Sequence, residues 1–348
     1  MIGSGGIGSF ISELIPYFLI SNDCLLIGKH EQCAPFLRRQ NVEFCFCDVN
    51  PFSLKEFLNF PQDVLKKIHA YDFFFSPYCN IPNGIKIPIF STIHDMVFLD
   101  VPELTGFFGR FARKLIYKRA VNLSKMIFTV SEFSKERIKA KLSCKKEISV
   151  VYNGVPSYLT QNDKNEEQIQ KENSILFVGN IKKHKGLHIL LDAFEKASSQ
   201  GLKSKLVIVG NKDNFRTGDE VIVKRIKNFP NDKLIFTGKI TNEDLKKLYK
   251  SAKVLVQPSL YEGFGIPPLE AMSCGTKAII SDIPVFKEIY EGFPVTFFKS
   301  LDSDSLCQKL LEAEKDDSKI DISQLVEKYS YKKSAQKIIA VMREFIVY

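Results

Sequence analysis

The sequence has 348 residues, about twice the ~100–200 typical of one domain, with 45% hydrophobic and 26% charged residues. This composition is that of an ordinary globular protein and excludes disordered, collagen-like and coiled-coil chains. Residues 103–146 contain twelve basic and three acidic residues, so this segment alone accounts for the formal net charge of +9. Such a single-sign segment suggests an anionic partner: a phospholipid surface, a phosphorylated acceptor or nucleic acid.

Neither a spanning segment nor a disulfide framework is expected. The longest apolar run, residues 14–20, contains a proline and is far below the ~18–20 residues that a membrane-spanning helix needs. No basic region followed by an apolar run opens the chain, so no secretory signal is expected. The eight cysteines are scattered without zinc-site spacing, which indicates reduced thiols in a cytoplasmic protein.

Hydrophobic segments of strand length alternate with helical patterns along the whole chain. This alternation predicts parallel sheets with helices on both faces. The polar segment 161–173 is interpreted as a linker, so we expect two doubly wound α/β lobes, residues 1–156 and 157–329. The expected strands are 24–27, 42–47, 73–76, 89–93, 126–130, 149–151, 175–178, 205–209, 234–237, 254–257, 278–281 and 295–298.

Capping residues place several helix starts. Ser131 or Ser134 begins a basic helix, Thr241 begins another, and the prolines at 267 and 268 begin a third. Residues 330–346 carry apolar positions at helical spacing, which predicts a long amphipathic helix that needs a partner surface.

Glycines at the start of the chain suggest an anion site. Gly3, Gly5 and Gly8 fit the letters of the dinucleotide fingerprint, but no strand precedes them and the second strand lacks a terminal acid for a ribose. NAD(P) chemistry is therefore not favoured. Backbone N–H groups at a helix start would still suit a phosphate, and a simple tight turn is the alternative. Either the lobe lacks the usual first strand, another segment supplies it, or the polypeptide begins further upstream.

A second candidate phosphate site follows the strand at 175–178. The loop 179–186 contains Asn180, three lysines and two glycines, and a helical pattern follows it. A cationic loop at a helix start could neutralise a diphosphate, with Lys185 as a point charge and Asn180 as a neutral donor. A solvated lysine cluster is the alternative interpretation.

Two glutamates follow the strand at 254–257. Glu262 lies on a glycine-flanked loop beyond the strand's carboxyl end, where open α/β sheets bind ligands. Glu270 is expected in the first turn of the next helix, where the helix dipole alone could favour a carboxylate. In the functional interpretation, one carboxylate binds a sugar and the other binds a ribose. The backbone amides of Gly263, Phe264 and Gly265 would then donate to phosphate or sugar oxygens.

These residues resemble the E-x7-E signature of the retaining glycosyltransferases of family 4. The likeness covers about nine-tenths of the chain in the family's order, through GGIG, SPYCNIP, TIHDMVFLDVPE, TVSEFSKERI, VVYNGV, FVGNIKKHKGL, VQPSLYEGFGIPPLEAMSCGTKAIISD and YSYKKSAQKI. It implies the GT-B fold: two Rossmann-like lobes facing a cleft. The nucleotide sugar would lie mainly on the second lobe and the acceptor on the first. A C-terminal helix, about 330–348, would return to the first lobe.

The resemblance also assigns roles in the second lobe. Glu262 is similar to the sugar-facing, catalytic glutamate, Glu270 to the ribose-binding one and Lys185 to the phosphate-binding lysine. Asn180 stands where many members have an arginine, so that diphosphate contact would differ here.

In the first lobe the resemblance assigns a glycine turn and a histidine. Gly5 and Gly6 correspond to the turn that closes on the distal phosphate. His94, which follows a buried strand, is similar to the catalytic histidine that contacts the transferred sugar. A packed structural histidine is the alternative.

The resemblance implies retaining transfer of a hexose from a nucleoside diphosphate sugar, with no required metal or other cofactor. GDP-mannose is the first candidate donor, and the acceptor would be a glycan or a lipid-linked sugar in surface polysaccharide or lipopolysaccharide synthesis. Asp302 and Asp304 match the letters of a metal-binding DxD motif, but we interpret them as a helix cap. A catalytically inactive partner subunit is the alternative; nucleic acid is not expected, because no recognition motif accompanies the basic segment.

The basic segment has its own interpretation. Residues 104–121 interleave aromatic and cationic side chains, which is typical of a helix on an anionic bilayer. We expect peripheral attachment to the inner face of the membrane, and a helix with its apolar side in the core is the alternative. The candidate membrane or acceptor patch comprises Phe107, Arg110, Arg113, Lys114 and Lys118.

Overall fold

The computed structural model describes residues 5–160, 169–210, 220–230 and 232–346. The chain forms two compact units. The first contains Met1–Gly154 and Tyr329–Tyr348, and the second contains Val155–Lys328. Gly3 and residues 161–168 of the expected linker lie outside the described residues.

All twelve expected strands are confirmed, with small differences at their ends. Each pairs in parallel with its neighbours, as the alternation of strands and helices predicts. The strands are β1 Cys24–Gly28, β2 Val42–Phe46, β3 Phe74–Ser76, β4 Ile89–Thr92, β5 Met126–Thr129, β6 Ile148–Val150, β7 Glu172–Val178, β8 Lys205–Val209, β9 Leu234–Gly238, β10 Ala252–Gln257, β11 Lys277–Ser281 and β12 Val295–Phe298.

Helices connect these strands. In chain order they are α1 Gly5–Phe18, α2 His30–Cys33, α3 Leu54–Leu58, α4 Gln62–Ile68, α5 Val97–Asp100, α6 Phe107–Leu123, α7 Glu132–Leu142, α8 Ser157–Thr160, α9 Leu187–Ser199, α10 Glu220–Lys227, α11 Asn242–Ser251, α12 Ile266–Ser273, α13 Pro284–Tyr290, α14 Ser303–Glu314, α15 Ser323–Lys328 and α16 Tyr331–Arg343. Short 3-10 turns occupy Ala34–Phe36, Pro102–Leu104 and Lys183–Lys185. Within the described residues, no helix combines the length and the apolar character needed to cross a membrane.

Side-chain caps fix three of the helix starts. Of the two serines considered for α7, Ser131 is the cap, and its hydroxyl accepts from the Ser134 N–H at 3.0 Å. Thr241 caps α11 in the same way. Asp302 Oδ1 accepts from the Ser305 N–H at 2.9 Å at the start of α14, so its interpretation as a helix cap is confirmed. Each contact satisfies an N–H that lacks an intrahelical partner.

The first unit contains two separate parallel sheets. One consists of β1 and β2, and the other has the order β3-β4-β5-β6. The glycine-rich start differs from the expected loop, because α1 already begins at Gly5 and includes Gly6 and Gly8. Its buried side chains, among them Phe10 and Leu14, anchor the helix in the first unit.

The helix α16 completes the first unit by packing on α1. Tyr331 contacts Phe10 edge to face, and the Ser334 hydroxyl donates to the carbonyl of Tyr152. A Cβ at Gly154 would lie 2.2 Å from the Tyr331 nitrogen, so only glycine fits where the chain passes this helix start.

The second unit is built on one six-stranded parallel sheet of order β12-β11-β10-β7-β8-β9. The chain leaves β7 toward β8 and β9 on one side and later continues through β10 to β12 on the other. Strand order therefore reverses between β7 and β10, and ligands of open α/β sheets bind beyond the carboxyl ends of the strands at such a point.

Candidate active site

The loops after β7 and β10 lie at this reversal point and are fixed against each other. Gly186 has φ +69°, and a Cβ there would lie 1.8 Å from the Pro258 carbonyl oxygen, so no larger residue fits. The Leu260 N–H donates to the carbonyl of His184 at 2.7 Å. The β7 loop therefore presents Lys185 toward the β10 loop.

Lys185 and Glu262 form an ion pair between these loops. The Lys185 Nζ lies 2.7 Å from both carboxylate oxygens of Glu262. The Ser259 hydroxyl donates to Glu262 Oε1 at 2.7 Å, and the Gln257 amide lies 3.4 Å from the same oxygen. The side chains are 22% and 10% exposed, so solvent screens the pair only weakly. Lys185 is expected to bind phosphate and Glu262 to bind sugar, but in this structure their charges neutralise each other.

Glu270 is held by two tyrosines. The Tyr249 hydroxyl donates to Glu270 Oε2 at 2.6 Å, whereas the Tyr158 hydroxyl lies 3.4 Å from Oε1. Burial, followed by the nearby Glu270 charge, raises the pKa of Tyr249 well above its usual value, so this tyrosine stays a hydrogen-bond donor. One carboxylate oxygen is firmly fixed, and the other has the longer contact.

The position of Glu270 corrects one expectation. It is the fifth residue of α12, which begins at Ile266, and therefore lies in the second turn rather than the first. Because the dipole effect falls off within the first turn, attraction to the helix start explains this carboxylate less well. The two tyrosines fix it instead.

The turn between the two glutamates is tightly packed. Gly263, Phe264 and Gly265 are buried, and Gly265 has φ +87° with its Cβ position only 2.3 Å from the Phe286 ring. The Tyr290 hydroxyl donates to the Gly265 carbonyl. A phosphate contact by their amides stays a prediction. Asn180, by contrast, is exposed just after β7.

His94 lies just beyond β4 in the first unit. Its Nε2 is 2.8 Å from the Pro77 carbonyl oxygen, and since a carbonyl can only accept, Nε2 carries the proton. The Phe10 ring meets the imidazole edge to face at 4.9 Å. Burial lowers the pKa of His94 to about 4, so the ring is neutral at pH 7 and Nδ1 has acceptor character. Such a histidine can accept from a sugar hydroxyl.

Gly5 and Gly6 lie exposed in the first turn of α1. Within the part of the chain that the structure describes, a Cβ at either position would meet nothing within 4 Å, so packing among those residues does not require glycine. Gly5 also has φ +62°, which favours glycine by conformation. An anion contact at this helix start stays a prediction.

Comparison with known protein families identifies the family of this chain. The family model described as "Glycosyl transferases group 1" matches residues 160–336, and the one described as "Glycosyltransferase Family 4" matches residues 46–157. The first match contains both loops of the candidate site. The chain belongs to the group 1 glycosyltransferases.

Curated relatives of this glycosyltransferase include two named for O-antigen synthesis. "O-antigen chain mannosyltransferase RfbU" of Salmonella typhimurium is 33% identical over 200 residues, covering 57% of this chain and 53% of the relative. "O-antigen chain mannosyltransferase B" of Escherichia coli is 26% identical, covering 70% and 65%. The matched part thus spans between about half and two-thirds of each relative.

Solved structures show the fold. HepE of Anabaena, crystallised with UDP and glucose, has a TM-score of 0.71 at 16% identity and covers 99% of this chain and 98% of its own. WaaG, described as a glycosyltransferase of lipopolysaccharide biosynthesis, has a TM-score of 0.63 at 16% identity, with coverage of 97% and 92%. The two units of this glycosyltransferase are the Rossmann-like lobes of the GT-B fold, which confirms the fold expected from the sequence.

The helix α6 of this glycosyltransferase carries the proposed membrane or acceptor patch. Phe107, Phe108 and Phe111 are 70%, 85% and 58% exposed. Part of the apolar side of the helix does lie in the core, as in the alternative interpretation, through the buried Tyr117, Ala120 and Val121. Lys114 and Lys118 are exposed as well. Two patch arginines differ from them, because Arg110 is half-buried and Arg113 stacks on the Phe98 ring at 3.7 Å.

Several site residues were not found from the sequence. Ser259 and Gln257 bind Glu262 from the same strand end, and their spacing of three and five residues from it could have indicated this. Tyr249 and Tyr158 had no signal, because their helices meet α12 only in the folded unit.

Proposed function

We propose that the protein transfers a hexose, with retention of anomeric configuration, from a nucleoside diphosphate sugar to a glycan or lipid-linked acceptor in surface polysaccharide synthesis. The observation that carries this proposal is the Lys185–Glu262 pair at the reversal point of a six-stranded parallel sheet. The lysine of the loop after β7 contacts the first glutamate of the E-x7-E segment there, and the second glutamate is fixed on the following helix.

The proposed chemistry divides between the two charges. Lys185 neutralises the diphosphate as the bond from the anomeric carbon to the phosphate oxygen breaks and its electron pair moves to that oxygen. The acceptor hydroxyl attacks from the face that the diphosphate leaves, and its proton passes to the departing phosphate. Glu262 orients hydroxyls of the transferred sugar, Glu270 binds the ribose, and His94 accepts from the sugar through Nδ1. The products are the glycoside and a nucleoside diphosphate.

A lysine charge and helix-start amides can stabilise a departing phosphate without a metal ion. We therefore propose turnover without an added metal ion. Purified protein should keep its rate in EDTA after dialysis, and a rate that depends on added Mg²⁺ or Mn²⁺ would contradict this part of the proposal.

GDP-mannose is the first donor to test. The names of the O-antigen relatives support mannose, although each is matched over only part of its length. A thermal-shift panel of GDP, UDP, dTDP and ADP sugars should show stabilisation by one base class, and UDP-sugar binding alone would redirect the donor assignment.

Turnover is then compared in matched variants. Glu262→Gln and Glu270→Ala should each lower kcat/KM at least about a hundredfold, the scale of losing a positioned polar contact in a transition state. Glu312→Gln, on the surface of α14 and paired to Lys309, is the control and should keep wild-type turnover. Equal turnover in all three variants would refute the site. Donor binding without any turnover would instead support the inactive partner subunit.

We further propose that α6 attaches the first unit to an anionic bilayer. The exposed Phe107, Phe108 and Phe111 can enter the acyl boundary, while Lys114 and Lys118 meet headgroups, each cation being worth about 1 kcal/mol near the surface. Flotation with phosphatidylglycerol vesicles should carry the protein upward, and phosphatidylcholine vesicles should not.

Two variants test that attachment. Phe108→Ser should release the protein from phosphatidylglycerol vesicles, because its side chain is 85% exposed and contributes little to folding. Leu301→Ser removes a 69% exposed side chain from the other unit and should float like the wild type. Failure of the wild type to float with either lipid would end the membrane proposal.

A further inference from the structure

Three side chains with rings lie beyond the ends of strands in the first unit. Phe52 is in the segment after β2, Tyr78 follows β3 and His94 follows β4. The Phe52 ring meets the Tyr78 ring edge to face at 5.4 Å, and the Tyr78 ring centre lies 6.2 Å from that of the His94 imidazole. A row of rings therefore leads from His94 to Phe52, whose side chain is 40% exposed.

The backbone of Phe52 is strained. Its φ is +64°, in the left-handed region that residues with a side chain rarely adopt. Such strain in a bulky residue persists only where the surrounding structure holds it. Because glycine would suit this conformation better, the presence of a large, partly exposed ring here needs another explanation.

A buried carboxylate holds this conformation. Glu56, on α3, is 4% exposed, and its Oε2 accepts from the Phe52 N–H at 2.6 Å. Its Oε1 accepts from the side-chain amide of Asn80 at 2.7 Å. In a standard capping box this glutamate would accept from the N–H of the helix cap, which is Ser53. It reaches one residue further back instead, so the carboxylate fixes Phe52 and not only the start of the helix.

The same carboxylate is tied to the turn after β3. The Ser76 hydroxyl closes this turn, because it lies 2.7 Å from the Tyr78 carbonyl oxygen and 2.9 Å from the Asn80 carbonyl oxygen. Since the side chain of Asn80 binds Glu56, one hydrogen-bonded network holds the backbone of both Phe52 and Tyr78.

We propose that the exposed ring of Phe52 is the platform on which a pyranose of the acceptor stacks, and that Glu56 is the positioning residue that holds this ring. The inference rests on the proposed function, in which His94 contacts the transferred sugar. The C–H face of a pyranose carries partial positive charge and packs on the negative face of an aromatic ring. Because the Tyr78 ring contacts both Phe52 and His94, an acceptor sugar on Phe52 would lie next to the transferred one.

The sequence contains no tryptophan, which allows a direct test. Phe52→Trp keeps an aromatic ring and makes it the single source of tryptophan fluorescence. Methyl glycosides of mannose, glucose, galactose, rhamnose and N-acetylglucosamine are titrated into this variant in the presence of GDP or UDP. At least one glycoside should change the emission saturably. Leu301→Trp is the control and should not respond, since Leu301 is an exposed residue with φ +65° in the second unit.

Further variants separate stacking from stability. Phe52→Ala and Phe52→Gly both remove the ring and should weaken binding of the responding glycoside at least tenfold in saturation-transfer NMR, whereas Phe52→Tyr should bind it like the wild type. Phe52→Gly should nevertheless have a Tm about 2 °C above that of Phe52→Ala, because glycine alone relieves the strain at this φ. Glu56→Gln should weaken glycoside binding in the wild-type chain but not further in Phe52→Gly, because Glu56 acts through the ring.

Four results would overturn the proposal. If no glycoside changes the emission while a nucleotide sugar still stabilises the chain, the platform is refuted and the proposed function stands. Equal responses of Phe52→Trp and Leu301→Trp would mean unspecific binding, and wild-type affinity in Phe52→Gly would show that the ring is not needed. A response of Phe52→Trp to phosphatidylglycerol vesicles, without any response to a glycoside, would place the ring on a membrane surface instead. Conversely, saturable glycoside binding without binding of any nucleotide sugar would support the sugar platform and contradict the proposed transfer.

Discussion

Replacing Glu262 by glutamine should strengthen the binding of a nucleoside diphosphate while it abolishes sugar transfer. The wild-type carboxylate holds Lys185 with two contacts of 2.7 Å. A diphosphate must share that lysine with Glu262 and approach a negative charge. Glutamine keeps the shape and the contact to Ser259 but removes the charge, so Lys185 is fully available to the phosphates.

The size of the effect follows from Coulomb's law. A unit charge removed from ~6 Å away, at an effective dielectric constant of ~40, changes the binding free energy by about 1.4 kcal/mol, or about tenfold in Kd. The same substitution should make the folded protein less stable. Removal of one partner from a largely buried ion pair leaves Lys185 without its counter-ion, and the free energy of unfolding should fall by about 1–3 kcal/mol.

Titration calorimetry with GDP and with UDP measures the binding change, and urea unfolding measures the stability change. Glu270→Gln is the matched comparison, since the loss of a ribose acceptor should weaken nucleotide binding rather than strengthen it. Unchanged or weaker diphosphate binding by Glu262→Gln would refute the view that Glu262 restrains Lys185 before the donor arrives.

Other predictions concern the glycines and the histidines. Gly186→Ala should lower the free energy of unfolding by more than ~2 kcal/mol in urea titrations, because its Cβ would meet the Pro258 carbonyl at 1.8 Å. Gly6→Ala, whose Cβ would meet no described atom within 4 Å, should keep or raise stability by up to ~1 kcal/mol, and a large loss would mean that glycine is needed for folding. Burial lowers the pKa of both His94 and His184 to about 4, so the unfolded chain binds protons first and stability should fall as pH decreases from 6.5 toward 4. His94→Asn should flatten that decline in urea titrations across this pH range, and an unchanged slope would contradict it.

The strands were predictable because each signal is local. A buried parallel strand reads as a short apolar run, and the runs in β7, β8 and β10 stand out against polar flanks. Helix starts with a capping hydroxyl, such as Ser131 and Thr241, were predictable for the same reason. The division of the first unit into two sheets was not, because pairing depends on which edges meet in space.

The candidate site shows the same limit. The residue types of Lys185, Glu262 and Glu270 could be found from motifs, yet their partners could not. An ion pair between two loops separated by 77 positions depends on the neighbouring placement of β7 and β10. Likewise, the protonated nitrogen of His94 is decided by the Pro77 carbonyl, seventeen positions away.

The contact of Gly154 with the start of α16 has a consequence for biosynthesis. The second unit, Val155–Lys328, is inserted within the sequence of the first, so a ribosome makes it completely before α16 appears. Until then α1 lacks the helix that packs on it, and the surface around Phe10 is uncovered. The unit whose synthesis begins first is therefore completed last, when α16 has been made.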